Sequence, residues 1–138
     1  DHSPAPAAMK QSANFFEVWG GIAGCQTTLG LMLEEGHIRR RLSLETIVRL
    51  TAGGACERYG FKNRGRIEPG CMADLTIVDL NHAAPLAEAD LHDRHRLSPY
   101  LGRTLRGRVR RTILRGRTVF EAGRPVGPAC GELVRPAS

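Results

Sequence analysis

Asp1-His2-Ser3-Pro4 is the stretch of this sequence with the most potential chemistry. An aspartate can ligate a metal ion and can accept a proton from metal-bound water. An Asp followed by His and a proline-containing loop suits the end of a barrel strand, where side chains converge on a site. Taken alone, Asp1 could as well cap a helix or serve a turn. Gly20-Gly21 follows an apolar cluster of Phe15, Phe16, Val18 and Trp19. Paired glycines mark either close backbone approach or a plain tight turn, and spacing does not separate the two. His92 and His95 stand three apart and could share a helix face. No Cys or carboxylate joins them at metal spacing, so solvent-facing histidines are the better reading. Cys25, Cys56, Cys71 and Cys130 form no C-x-x-C pair, which disfavours a zinc ribbon or a thioredoxin-like motif. Two disulfides are formally open. The reading preferred is reduced thiols, with Cys25 and Cys56 as small hydrophobes inside helical patterns.

The elements that must hold these residues come as helices first and strands second. Residues 1–14 read as a Pro- and Ala-rich loop. Ile22, Cys25, Leu29 and Met32 recur at helical spacing with Leu33 beside them, and Gly36 is the expected stop. Ser43 is a good N-cap for a second helix, whose apolar side is Leu44, Ile47, Val48, Leu50 and Tyr59. Gly53-Gly54 weakens that helix by about 1 kcal/mol per glycine, which suggests close packing on another backbone. Gly60 ends it. Leu75, Ile77 and Val78 form a strand bounded by Gly70 and Asn81. Residues 82–97 read as a polar connection with at most one helical turn. Residues 104–121 alternate, placing Arg106, Arg108 and Arg110 on one face and a hairpin turn at Arg115-Gly116-Arg117. Residues 123–138 are rich in Gly and Pro and are expected to run over a surface.

The chain has 138 residues, room for one domain or part of one. Two amphipathic helices and about three strands leave apolar faces uncovered, so a piece of a larger domain is expected. The start at Asp1, without Met, points the same way. Apolar residues at 41% exclude a disordered chain. No run of some 18 apolar residues exists, which excludes a membrane-spanning helix. With no signal peptide visible, a cytoplasmic protein is expected. Twenty Lys and Arg against 14 Asp and Glu give a net charge of +6, which raises the question of nucleic acid. Only seven aromatic residues occur, and the Phe/Trp cluster lies beside Glu17, far in sequence from the arginine run, which argues against stacking on bases. Alternating arginines are more often a solvated sheet face.

Read together, four stretches resemble one enzyme family. DHSP and NFFEVWGGIAGCQ (14–26) resemble the late part of the catalytic barrel of the allantoinases. These are cyclic amidohydrolases related to dihydroorotases and hydantoinases. GRIEPGCMADLTIVDL (65–80) resembles the segment leading from that barrel into a small β-sandwich, and alone would indicate only the broad superfamily. SPYLGRTLRGRVRRTILRGRTVFEAG (98–123) resembles the allantoinase ending specifically. The resemblance implies an α/β fold: the C-terminal fragment of a (β/α)8 TIM-barrel metal-dependent hydrolase plus part of its β-sandwich. Residues 1–62 would close the barrel, and 63–138 would form the C-terminal part of the sandwich and the tail.

The resemblance further implies two zinc ions bridged by a carboxylated lysine that this chain lacks, with Asp1 as metal ligand and catalytic group. His2 would shape the loop through hydrogen bonds. Ser3 and Gly20 would contact the ring amides of the substrate, Gly20 through its backbone. The metals would generate hydroxide and polarise the ring carbonyl. Asp1 would take the proton and return it to the leaving nitrogen, converting allantoin to allantoate in purine catabolism. The implied partner is a small cyclic ureide, with neither nucleic acid nor membrane, and the implied assembly is a homo-oligomer, a tetramer. The chain alone is expected to be inactive. The family often has Cys where this chain has Ala5, and relatives carry Asn-Pro-Ala where it has Gly54-Ala55-Cys56. Alternatives are a dihydropyrimidinase or hydantoinase, a dihydroorotase, or a non-catalytic protein of amidohydrolase fold.

Overall fold

The computed structural model describes residues 2–135. In it a first helix packs against the second strand of a four-stranded antiparallel sheet, and a second helix packs on the first. The N-terminal loop carries two short 3-10 turns, Ala7–Lys10 and Phe15–Glu17. Asn14 caps the second turn by accepting from the Phe16 amide at 3.1 Å.

The first helix starts later than its apolar spacing predicts. It runs in α geometry over Thr28–Leu31 and in wider π geometry over Met32–Arg39. Gly36 does not stop it. Gly36 is buried, and a Cβ there would stand 3.0 Å from Ile47 Cδ1 and 3.4 Å from Leu42 Cδ1. The glycine is where the second helix approaches, and the turn falls at Arg41, with φ of 57°.

The second helix covers Leu44–Val48, Arg49–Gly53 and Gly54–Arg58, the middle part in π geometry. Ser43 caps it as predicted, its Oγ accepting from the Thr46 amide at 3.2 Å. Ile47 is its anchor at 1% exposure, while Val48, Leu50 and Tyr59 face outward. Of the predicted apolar side only Ile47 is buried, because the first helix packs on the Leu44–Val48 part and not on the rest. The predicted close approach is present: a Cβ on Gly53 would meet the Gly65 carbonyl oxygen at 3.4 Å.

Strand β1 is Leu75–Pro85, β2 Thr104–Leu114, β3 Arg117–Glu121 and β4 Arg124–Pro125, ordered β1-β2-β3-β4. The first strand outruns its predicted end at Asn81. Ala83, Ala84 and Pro85 pair with Arg106, Leu105 and Thr104, so sheet pairing overrides a polar local composition. The hairpin turn sits where expected. Arg115 and Gly116 both have positive φ, 49° and 77°, as a two-residue turn matched to strand twist requires.

The three alternating arginines do not share a face. Bulges between Ile77 and Val78 and between Asp79 and Ala83 break the alternation against β2. Arg106 turns to the first helix, its Nε 3.4 Å from Glu34 Oε2, whereas Arg110 pairs with Asp79 across the sheet. Glu35 joins helix to sheet as well, accepting from Arg103 Nη2 at 2.5 Å.

The helix–sheet seam depends on Gly107. At φ of 84° it lets Leu33 sit where a Cβ would be, 2.4 Å from that position. Leu33 is 3% exposed, and Ala5, Ala23, Ile47 and Leu91 complete the buried apolar set among the described residues. The segment before β1 is tied to the hairpin turn. Asp74 accepts from the Arg115 amide at 2.8 Å and pairs with Arg64, and the Gly116 amide donates to Ala73 O at 3.0 Å. No helix among the described residues is long and apolar enough to cross a membrane.

Candidate active site

The two N-terminal motifs meet in space. The Ser3 amide donates to Ile22 O at 2.8 Å. The Trp19 indole Nε1 donates to Ser3 Oγ at 3.1 Å. That bond occupies a lone pair of the hydroxyl and leaves its proton to donate. His2 lies against the same stretch, its Nδ1 accepting from the Cys25 amide at 3.4 Å. A loop-shaping His2 is the expectation this contact fits.

The glycine pair divides its work. Gly21 adopts φ of 80°, and a Cβ on it would lie 2.6 Å from Ser3 Cβ. Of the two roles that spacing left open, close approach is the one present, and the positive φ adds a second need for glycine. Gly20 has open space around it: a Cβ there would meet nothing within 4 Å. Its backbone N–H and C=O have no hydrogen-bond partner among the described residues. An exposed peptide edge beside an oriented hydroxyl can read a flat ring amide, which presents one donor and one acceptor side by side.

Two residues that sequence reasoning passed over hold this arrangement. Lys10 Nζ donates to Trp19 O at 2.7 Å and to Gly21 O at 2.5 Å. Trp19 also donates its amide to Met9 O at 2.9 Å. Trp19 was visible as the single tryptophan of the chain, and Lys10 as one of two lysines among many arginines. Nothing in their spacing linked either to Ser3 or Gly20. Phe15 and Phe16, expected to cluster with Trp19, stack edge-on to each other and are 81% and 92% exposed.

Asp1 lies outside the described residues. Among the described residues no three His, Cys, Asp or Glu side chains gather into a metal-ligand set. They do not hold a metal by themselves, and an ion near this loop would need ligands from outside them. His92 and His95 lie in a loop rather than on a helix, and His92 stands edge-on to Phe120 at 5.9 Å. Cys25 is exposed rather than a core residue, because the helix begins only after it; all four cysteines are free thiols. With His2, Gln26 and His92 it lines a cleft of about 390 Å³. Gln26 closes one side of that cleft, donating to Asp90 O at 2.6 Å and accepting from the His92 amide at 2.9 Å.

The model of the amidohydrolase family matches residues 12–120, more than half of the chain. The chain is 51% identical over 136 residues to an allantoinase of Rubrobacter xylanophilus. It is 44% identical over 138 residues to an allantoinase of Deinococcus radiodurans. These alignments cover 99% and 100% of the chain, which spans 30% of the length of each relative. Among solved structures, a D-hydantoinase (dihydropyrimidinase) of a Thermus species superposes with a TM-score of 0.86 at 24% identity. It covers 93% of this chain and 29% of its own. An L-hydantoinase of Arthrobacter aurescens superposes with a TM-score of 0.77 at 29% identity, over 83% of this chain and 26% of its own.

Proposed function

Because this chain belongs to the amidohydrolase family, we propose that it is the C-terminal part of an enzyme that hydrolyses allantoin to allantoate. Residues 1–62 would complete a (β/α)8 barrel, and residues 63–138 would contribute to a β-sandwich beside it. The observation that carries the reading is the loop cluster, in which the Ser3 hydroxyl and the open Gly20 peptide edge lie together. Relatives matched along the whole chain at 51% and 44% identity, both allantoinases, support the substrate.

The chemistry required of this chain is limited. Ser3 Oγ would donate to the oxygen of the ring carbonyl that is not attacked, and the Gly20 edge would bond the adjacent amide, fixing the ring in one orientation. A water oxygen adds to the ring carbonyl carbon and the carbon–nitrogen bond breaks. An Asp1 carboxylate oxygen would take the water proton and pass it to the leaving nitrogen. Two zinc ions, with Asp1 as one ligand and the others outside this chain, would supply Lewis acidity and an acidified water. The reading includes a cytoplasmic tetramer in purine catabolism, acting on a small molecule and not on nucleic acid.

Hydantoin hydrolysis is the second reading, favoured by the superposition on the L-hydantoinase at 29% identity. Steady-state assays of the longer protein on allantoin, hydantoin and dihydroorotate separate the readings. The highest kcat/KM is expected for allantoin; a higher value for either other ring overturns the substrate assignment.

A further inference from the structure

Lys10 grips the loop at two points that straddle Gly20. Its ammonium bonds the carbonyl oxygens of Trp19 and Gly21, at 2.7 and 2.5 Å. The Trp19 carbonyl belongs to the same peptide unit as the Gly20 N–H. No peptide among the described residues is cis. In a planar trans peptide the C=O and the N–H point in opposite directions. With the Trp19 oxygen drawn to Lys10, the Gly20 N–H is turned away from Lys10, toward open space. Fixing the Gly21 carbonyl as well leaves the Gly20–Gly21 peptide little freedom to rotate between two clamped neighbours. That matters because glycines are otherwise the most mobile points of a chain.

Nothing else among the described residues holds these two oxygens. Lys10 is itself placed by the 3-10 turn Ala7–Lys10, whose Met9 carbonyl accepts from the Trp19 amide at 2.9 Å. The loop is thus bonded to this turn at three points: Met9 O with Trp19 N, and Lys10 Nζ with the oxygens on either side of Gly20. The same indole that contacts Ser3 is carried by the backbone that Lys10 grips. One side chain therefore governs the direction of the Gly20 edge and steadies the partner of the Ser3 hydroxyl.

We propose that Lys10 is a positioning residue for ring-amide recognition, orienting the Gly20 peptide edge and steadying Trp19 against Ser3. It touches neither substrate nor reacting atoms. The proposal rests on the reading that Ser3 and Gly20 contact the ring, and it assigns to Lys10 an effect on binding rather than on chemistry. A contact made equally to the bound substrate and to the transition state changes KM and leaves kcat in place.

The test uses the longer protein, with Lys10→Met, Lys10→Gln and Lys10→Arg assayed on both allantoin and hydantoin. Thermal midpoints are measured in parallel. Loss of one charge-assisted clamp is expected to raise KM about ten-fold or more in the Met and Gln variants, with kcat within about two-fold. Lys10→Arg keeps the charge and can span both carbonyls, so it is expected to recover most of the KM. A KM unchanged in Lys10→Met and Lys10→Gln overturns the proposal. So does a fall in kcat alone that tracks a lower thermal midpoint, the signature of a merely structural lysine. Should the parent protein prefer hydantoin, the substrate assignment fails while the KM comparison on hydantoin still decides Lys10. A parent protein inactive on both rings overturns the functional reading and the role of Lys10 together.

Discussion

Gly107→Ala tests the seam on which the sheet carries the first helix. Gly107 has φ of 84°, a conformation that costs an L-residue about 1–2 kcal/mol. A Cβ there would also lie 2.4 Å from Leu33 Cδ1 and 3.1 Å from Val78 Cγ1. Leu33 is 3% exposed and has little room to withdraw. Overpacking at such a site adds about 1–3 kcal/mol. The sum is about 2–5 kcal/mol. At roughly 2 °C per kcal/mol, the low end for a larger protein, the thermal midpoint falls by about 4–10 °C. Gly102→Ala is the matched control, since Gly102 has φ of 77° and nothing within 4 Å of its Cβ position. It carries the conformational cost alone and drops the midpoint by about 2–4 °C. The assay is differential scanning calorimetry of the longer protein and both variants at one scan rate. Equal losses in the two variants would refute the seam, because the steric contribution would then be absent. Adding Leu33→Ala to Gly107→Ala should give less than the sum of the two losses, since the smaller side chain vacates the space the new methyl needs.

Further outcomes follow from single contacts. Trp19→Phe keeps the ring and removes the donor to Ser3 Oγ; KM should rise about three- to ten-fold with the midpoint little changed. An unaltered KM would separate Trp19 from the ring contacts. The Arg110 guanidinium, aided by the Asn81 amide, holds the Asp79 carboxyl below its ordinary 3.8. A depressed folded value means that the contribution of Asp79 is present above the unfolded value and lost as pH falls through the folded one. Carboxyl NMR should place the Asp79 midpoint below 3.8 in the parent and higher in Arg110→Gln; a midpoint blind to that substitution would remove Arg110 as the cause.

Local signals were legible where one residue decides the outcome. Ser43 before an apolar stripe caps a helix, and Arg115-Gly116 between β-rich runs turns a hairpin. Gly36 was misread because a helical glycine stops a helix in one context and admits a neighbour in another. The choice lay with Ile47, eleven residues on. The arginine alternation failed for a similar reason, since the bulges that break it are set by pairing with β1. At the candidate site, the residue types of Ser3 and Gly20 suggested chemistry only through the motifs around them. Their proximity depends on Gly21 accepting Ser3 at a distance no other residue tolerates. The sequence marked Lys10 only as one of two lysines and gave no sign of its role, because its two bonds reach nine and eleven residues along a loop without periodicity.

The measurement that bears most directly on the central claim is Asp1→Asn in the longer protein, followed by allantoate formation and by metal content. Asparagine keeps the shape and loses the charge and the proton-accepting oxygen. The account predicts that kcat on allantoin falls by about 10³-fold or more, with less zinc retained per chain and the thermal midpoint of the sheet and helices preserved. Parental turnover and parental metal content in Asp1→Asn would contradict it.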